Sequence, residues 1–374
     1  MSPKAHRGDP KGVKSILVIK TGALGDVLRT TSILAGLYKK YPGVTVTWLT
    51  AGAAKPLVDR HRMIGRVVTC DVRDASSVAA VAEDLAGTTW DWVLSLDDEE
   101  PLCRLASSLP HARLSGAFMT QSGERAYTDD VEPWFGMGLL SRAGKEAADR
   151  MKIDNDRSHP EIFADMFEIE AGRPELPLAA DAVAAAQAFA SRMDLRRDTL
   201  VVGLNTGAGG RWTSKGLPVE RVIAYAGALA SALDEPVAFL VLGGPPERER
   251  NDAIIEGIQA LGLSARVIDA GTENPIPTFA GLVGLSDVLL TSDSLALHLG
   301  VAMNVSIVSF FAPTSAAEIE LYGLGTKVVS TSPDYCSYSK TADNASITVE
   351  RLVAATIEVL AAKSDQRRLI PRPA

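Results

Sequence analysis

Hydrophobic and polar positions alternate between short apolar runs and stretches of helical period. The first apolar run, residues 16–19, reads as a buried strand. A turn over 20–26 follows, and Val27, Thr31, Leu34, Tyr38 and Tyr41 then recur at helical spacing. Further strands are expected at 44–50, 66–70 and 92–96. A short helix is expected to open at Pro56, and another to cover 76–85 with Ser76 as its cap. Residues 119–157 carry many charges and glycines without a period and are expected to be loops. Ser158 caps a helix to 169, GRPELP at 172–177 reads as a linker, and 182–193 is an alanine-rich helix. A second series places strands at 200–204, 237–242, 267–269, 287–291 and 305–311. They alternate with helices at 219–233, 248–261, 277–285 and from Leu295, and a last helix covers 349–362. Strands alternating with helices mean βαβ units and a parallel sheet. The predicted class is α/β, with one Rossmann-like domain over 15–176, a second over 177–348, the helix 349–362, a disordered lead-in at 1–14 and a disordered tail at 363–374.

Bulk composition adds boundaries. The chain has 374 residues, 46% hydrophobic and 22% charged, which favours two domains over one. A net charge of −8 argues against a nucleic-acid binder. Cys70, Cys103 and Cys336 are scattered without metal spacing and read as reduced thiols. There is no apolar run near the ~20 residues that span a bilayer and no apolar segment of a secretion signal, so the cytoplasm is expected. A local basic patch would still allow peripheral contact with the inner membrane. The oligomeric state is not legible.

Candidate chemistry sits at strand ends. The turn KTGALGD has no phosphate-loop or dinucleotide fingerprint. Its glycines, Gly22 and Gly25, would let a ligand approach backbone, and Asp26 stands either as a catalytic carboxylate or as a helix cap. In TSDSLALH, from Thr291 to His298, free backbone N–H groups at a helix start would hold a phosphate, or Ser292, Asp293 or Ser294 would only cap the helix. Thr206, Gly207, Arg211 and Lys215 lie in a glycine-rich loop where a lysine would neutralise a diphosphate, or be solvated. Glu247 would accept both hydroxyls of a ribose, or merely face a helix dipole. His298 alone reads as a packed residue. Asp97 to Glu100 reads as an acidic turn, not a metal site, because the carboxylates are consecutive. Arg60, His61 and Arg62, with Lys55, would meet an anionic acceptor, or form a solvated helix end.

Taken together and in order, KTGALGDVLRTT, GLNTGAGGRWTSKGLP, LGGPPERER and LLTSDSLALHLGVAM resemble glycosyltransferase family 9, the ADP-heptose:lipopolysaccharide heptosyltransferases. The resemblance spans about 15–360. It implies a GT-B fold, two facing Rossmann-like domains with an interdomain cleft, the acceptor on the first and the nucleotide-sugar on the second. It implies inverting transfer without a metal or other cofactor, and a glycan or glycolipid acceptor. Carried over residue by residue, Asp26 would be the general base within a turn containing Thr21, Gly22 and Gly25. Lys215 would touch the diphosphate, Glu247 the ribose and Asn274 the adenine. Asp293, Ser294 and Leu295 would form the phosphate turn, with Thr206, Gly207 and His298 beside the donor. The chain departs from the family at Leu217, where tryptophan is usual, and at Leu295, where many members have glycine. Three separated cysteines cannot form the four-cysteine iron motif of the autotransporter-modifying relatives. The same fold also serves nucleotide-sugar epimerases and non-catalytic binding proteins. An epimerase would need further acid/base groups, of which the sequence shows no clear set.

Overall fold

The computed structural model describes residues 12–207, 209, 213–362 and 369–373. The chain divides into two compact units, meeting in sequence at Pro177 and Leu178.

The first unit runs β1 (Ser15–Ile19), α1 (Leu24–Thr30), α2 (Ile33–Lys40), β2 (Thr45–Thr50), β3 (Arg66–Thr69), α3 (Ala75–Ala86) and β4 (Trp90–Ser95). It continues with α4 (Glu100–Ser108), β5 (His111–Met119), β6 (Arg125–Tyr127), α5 (Glu132–Phe135), α6 (Lys145–Asp154) and α7 (His159–Phe167). Its sheet has the order β3-β2-β1-β4-β5-β6, parallel except for β6, which runs antiparallel to β5. A sheet covered on both faces needs strands apolar on both sides, and Ile16, Leu17, Val18 and Ile19 are all fully buried. One face packs Leu17, Ile19 and Val93 against Leu102, Leu105 and Leu85. Trp92, Tyr41, Phe163 and Phe167 meet edge to face elsewhere in the unit.

The first predicted helix is two helices, because the hydroxyls of Thr30 and Thr31 turn back onto the carbonyls of Asp26 and Leu28 and interrupt the helical path. The helix after β3 is capped by Asp74, not Ser76; the Asp74 carboxylate accepts the Ser76 N–H at 2.9 Å. Pro56 lies inside a 3-10 turn, Gly52–Leu57, instead of opening a helix. The stretch expected to be loops contains β6, α5 and α6. At the front of the domain, Val13 is buried and Lys14 donates to Asp91, so only residues before these can belong to a lead-in.

The second unit runs α8 (Ala180–Arg192), β7 (Leu200–Asn205), α9 (Val219–Ala232), β8 (Val237–Val241), α10 (Arg248–Ala260), β9 (Arg266–Asp269) and α11 (Ile276–Val283). Then come β10 (Val288–Ser292), α12 (Leu295–Ala302), β11 (Ser306–Phe311), β12 (Gly325–Val329) and α13 (Val349–Ala361). The sheet is wholly parallel, in the order β12-β11-β10-β7-β8-β9. Val202, Leu204, Phe239, Val241, Leu290 and Val308 carry its main core against α9, α10 and α13. The tail expected to be disordered is ordered over 369–373. Arg372 and Ile370 are buried, and Arg372 pairs with Asp287 at 2.8 Å.

All three cysteines are free and buried, and burial pushes the Cys103 thiol up to about 11. No helix among the described residues is long and apolar enough to cross a membrane.

Candidate functional site

Each sheet starts its winding in the middle. In the first, β2 lies on one side of β1 and β4 on the other; in the second, β8 lies on one side of β7 and β10 on the other. The chain leaves the two central strands toward opposite faces, so their C-terminal loops diverge and open a crevice where ligands bind in such sheets. Both units bridge this point with polar side chains.

In the first unit the bridge is Asp97, buried two residues after β4. Its carboxylate accepts from the Lys20 ammonium, from the Thr21 N–H and, at 2.8 Å, from the Thr21 hydroxyl. Burial pulls the Lys20 ammonium down, but Asp97 and Asp26 together outweigh it and hold the lysine above its ordinary value. Asp26 follows in the first turn of α1, with 38% of its side chain exposed, paired to Arg29 at 2.8 Å. Arg29 lies over the Trp134 ring at 5.3 Å, and Trp134 meets His159 edge to face. Gly25 is in that same turn. At Gly22 a Cβ would meet nothing within 4 Å, so packing within the protein does not demand a glycine there. Among the described residues no group of His, Cys, Asp and Glu side chains is placed to hold a metal ion.

Arg60, His61 and Arg62 do not form one continuous basic face. Arg60 is exposed. Arg62 pairs with Glu175 at 3.0 Å on the surface, a bridge worth at most about 1 kcal/mol. His61 is buried, its Nδ1 accepting the Met63 N–H at 3.2 Å and its Nε2 without a partner among the described residues. Burial depresses its pKa below the ordinary 6.5. The unfolded chain therefore takes up this proton more readily. Stability from His61 is present above 6.5 and is lost as pH falls through the folded value. An NMR titration is expected to give His61 a midpoint below 6.5; one at or above 6.5 would contradict the buried neutral ring.

In the second unit the bridge joins the ends of β7 and β10. Ser292 donates its hydroxyl to the Gly207 carbonyl at 2.7 Å. Ser294 holds the N-cap position of α12, but its hydroxyl donates to Asn205 at 3.1 Å and makes no capping bond to the helix. The first N–H groups of α12, at Leu295 and Ala296, thus start the helix uncapped beside the crevice, where an anion is favoured. Lys215 ends a 3-10 turn, Thr213–Lys215. Its ammonium donates to the Asp293 carbonyl at 3.0 Å and carboxylate at 2.8 Å. Glu247 accepts the Gly244 N–H at 2.8 Å and the Gly209 N–H at 3.2 Å, joining the loops after β7 and β8. At Gly207 a Cβ would lie 2.0 Å from a Glu247 oxygen, so a larger residue there would push the Glu247 side chain aside. The Asn274 amide donates to Ala270 and Gly271, which shapes the loop after β9. His298 is buried within α12. Arg211 lies outside the described residues.

Solved structures share this architecture. A glycosyltransferase family 9 protein from Veillonella parvula is 20% identical with a TM-score of 0.73, over 94% of this chain and 98% of that one. E. coli ADP-heptose lps heptosyltransferase II is 16% identical with a TM-score of 0.61, over 93% and 99%. An E. coli heptosyltransferase with ADP is 17% identical with a TM-score of 0.57, over 93% and 100%. The chain has the two-domain α/β GT-B fold. No family model matches the sequence, and no curated protein matches it.

Within this GT-B fold the two departures differ in kind. Leu217 is a core residue, its N–H donating to the Thr206 carbonyl at 3.0 Å. Leu295 is half-buried at the first turn of α12, beside the uncapped N–H groups. The sequence pattern gives Lys20, Asn205 and Arg250 no role and Asp97 only a place in an acidic turn. Asn205 and Asp97 had one visible signal, a polar residue at the end of an apolar strand. The others are recognised only by what they touch.

Proposed function

We propose that this chain is an inverting glycosyltransferase. It would move heptose from ADP-heptose to a hydroxyl of a glycan or glycolipid acceptor, in assembly of lipopolysaccharide core or a related glycan. The observation that carries the reading is the bridge at the ends of β7 and β10, where an uncapped helix N-terminus, Lys215 and a glycine-rich loop converge. Those are the elements that bind a nucleoside diphosphate and stabilise its departure.

In this scheme Asp293, Ser294 and Leu295 present backbone N–H groups to the phosphates, with Thr206 and Gly207 on the opposite side of the turn. Lys215 exchanges its contact with Asp293 for the diphosphate. Glu247 accepts the ribose hydroxyls, Asn274 borders the adenine, and His298 supports the helix from within. The Thr21, Gly22 and Gly25 turn forms part of the acceptor site, with Arg60 and Arg62 as outlying contacts for an anionic acceptor. Asp26 takes the proton from the acceptor hydroxyl as that oxygen attacks C1. The bond from C1 to the diphosphate breaks, its electron pair leaves with the nucleotide, and the configuration inverts. The charge of the leaving group is met by Lys215 and the start of α12, and the scheme requires no metal. The protein would work in the cytoplasm, with peripheral contact at the inner membrane.

The direct test is release of ADP from ADP-heptose with and without a heptose-free lipopolysaccharide core acceptor. The reading expects release only with acceptor. Interconversion of the donor sugar without transfer would point to an epimerase instead, and binding without turnover to a sensor or carrier. Lys215→Ala is expected to weaken ADP binding at least about 10-fold, the loss of a charge-assisted hydrogen bond. Unchanged calorimetric affinity would remove Lys215 from the donor site.

A further inference from the structure

Arg250 lies in the first turn of α10, three residues after Glu247. Its Nη2 donates to both the carbonyl and the hydroxyl of Thr206, at 3.2 and 3.0 Å. Its Nε is buried with no acceptor among the described residues. No carboxylate among them forms an ion pair with it; Glu247 and Glu220 act on it only from farther away. A half-buried guanidinium without a counter-ion is costly, and burial lowers its pKa. The neighbouring Asn251 amide nitrogen is also buried without an acceptor, close against Gly243. Thr206 is itself buried, and its oxygen already accepts from Arg250. Its own hydroxyl proton must therefore point elsewhere, and no acceptor for it is present among the described residues. Several hydrogen-bond donors and a guanidinium with no directly paired carboxylate among the described residues thus gather where the loops after β7 and β8 meet.

We propose that Arg250 is a positioning residue for the donor, acting through Thr206. The guanidinium fixes the Thr206 oxygen so that its hydroxyl donates to a phosphoryl oxygen of a nucleoside diphosphate. The anion adds negative charge beside a guanidinium that Glu247 and Glu220 act on only from farther away. A chain of donors running guanidinium to hydroxyl to phosphate strengthens each link. This assignment rests on the nucleotide-sugar reading above and adds to it a residue that senses phosphate, not base or sugar.

The test is calorimetric titration of the full chain with ADP and with adenosine, using the native protein, Arg250→Gln, Arg250→Lys, Thr206→Val and the Arg250→Gln/Thr206→Val double variant. Arg250→Gln and Thr206→Val should each weaken ADP at least about 10-fold and change adenosine by less than about twofold. The double variant should fall no more than about twofold below the weaker single variant, because both act in one chain. Arg250→Lys, which keeps charge and a donor, should recover part of the loss. Equal losses for ADP and adenosine would mean that the loop had only collapsed, and would overturn the proposal. Losses that multiply in the double variant would overturn the action through Thr206. Should Arg250→Gln fail to fold, Thr206→Val and Arg250→Lys carry the same comparison. Native protein that binds ADP alongside an unaffected Arg250→Gln refutes this inference alone. Native protein that binds no nucleoside diphosphate refutes the nucleotide reading and this inference with it.

Discussion

Replacing Asp26 by alanine is expected to lower acceptor-dependent ADP release at least ~100-fold while leaving ADP affinity within about twofold of native. The two readouts separate because the residue has no part in the proposed donor site. Asp26 belongs to the first unit, in the first turn of α1, whereas the uncapped α12, Lys215 and Glu247 belong to the second. A general base acts only as the proton leaves, so its removal lowers turnover and not nucleotide binding. The fold should survive. The carboxylate is partly exposed, and its i,i+3 pair with Arg29 contributes roughly 0.5 kcal/mol. Asp26→Asn should lose as much, because the amide keeps the shape but cannot take the proton. Normal turnover in either variant would refute the base assignment.

Arg372→Ala is expected to destabilise the second unit by about 3–5 kcal/mol, because removing one member leaves the other charge buried and unmatched. Nη2 of Arg372 donates to Asp287 at 2.8 Å and Nη1 to the Thr199 carbonyl at 2.8 Å. The same Asp287 oxygen accepts the Val201 N–H at 2.9 Å. The side chains of Arg372 and Asp287 are 0% and 3% exposed. Nearby, Arg197 donates its N–H to the Pro373 carbonyl at 2.9 Å, and Ile370 packs against Gly284. Residues 369–373 thus fasten the N-terminal ends of β7 and β10, opposite the strand ends that carry the proposed donor site. For a unit of this size the loss corresponds to roughly 10 °C in melting temperature. Differential scanning calorimetry should show the fall in one transition, and ADP affinity at temperatures where the variant is folded should not change. A shift under about 2 °C would mean that the strap adds little to the fold.

The sequence carried most of each sheet, edge strands β3 and β9 included, and lost β5 and β6 in the first and β12 in the second. β1, β4, β7 and β10 are apolar on both faces, so each reads as an unbroken run. β5 and β12 lie farther out and mix buried with half-exposed positions, so neither shows a clean period. The tail was misread for a different reason. LIPRP has no helical or strand pattern, and its order comes from an ion pair with a residue 85 positions away. The candidate site divides the same way. Asp26, Glu247 and the TSDS turn are visible because they end strands or start helices, and local pattern marks those points. Asp97 and Arg250 owe their roles to Thr21 and Thr206, 76 and 44 positions distant, and no local spacing encodes such a contact. His61 makes the converse point. Between two arginines it reads as part of a charged cluster, yet packing turns it inward and keeps it neutral.

The most direct test of the central claim is calorimetric titration of the native protein with ADP, UDP, GDP and dTDP. A transferase that uses ADP-heptose should bind measurably, with ADP preferred over the other nucleotides by at least about 10-fold, equivalent to ~1.4 kcal/mol. Preference for another base would remove ADP-heptose as the donor and leave the fold and Asp26 in place. Absence of binding to all four would contradict the nucleotide-sugar reading itself and identify Leu295, at the start of α12, as the residue to reverse first.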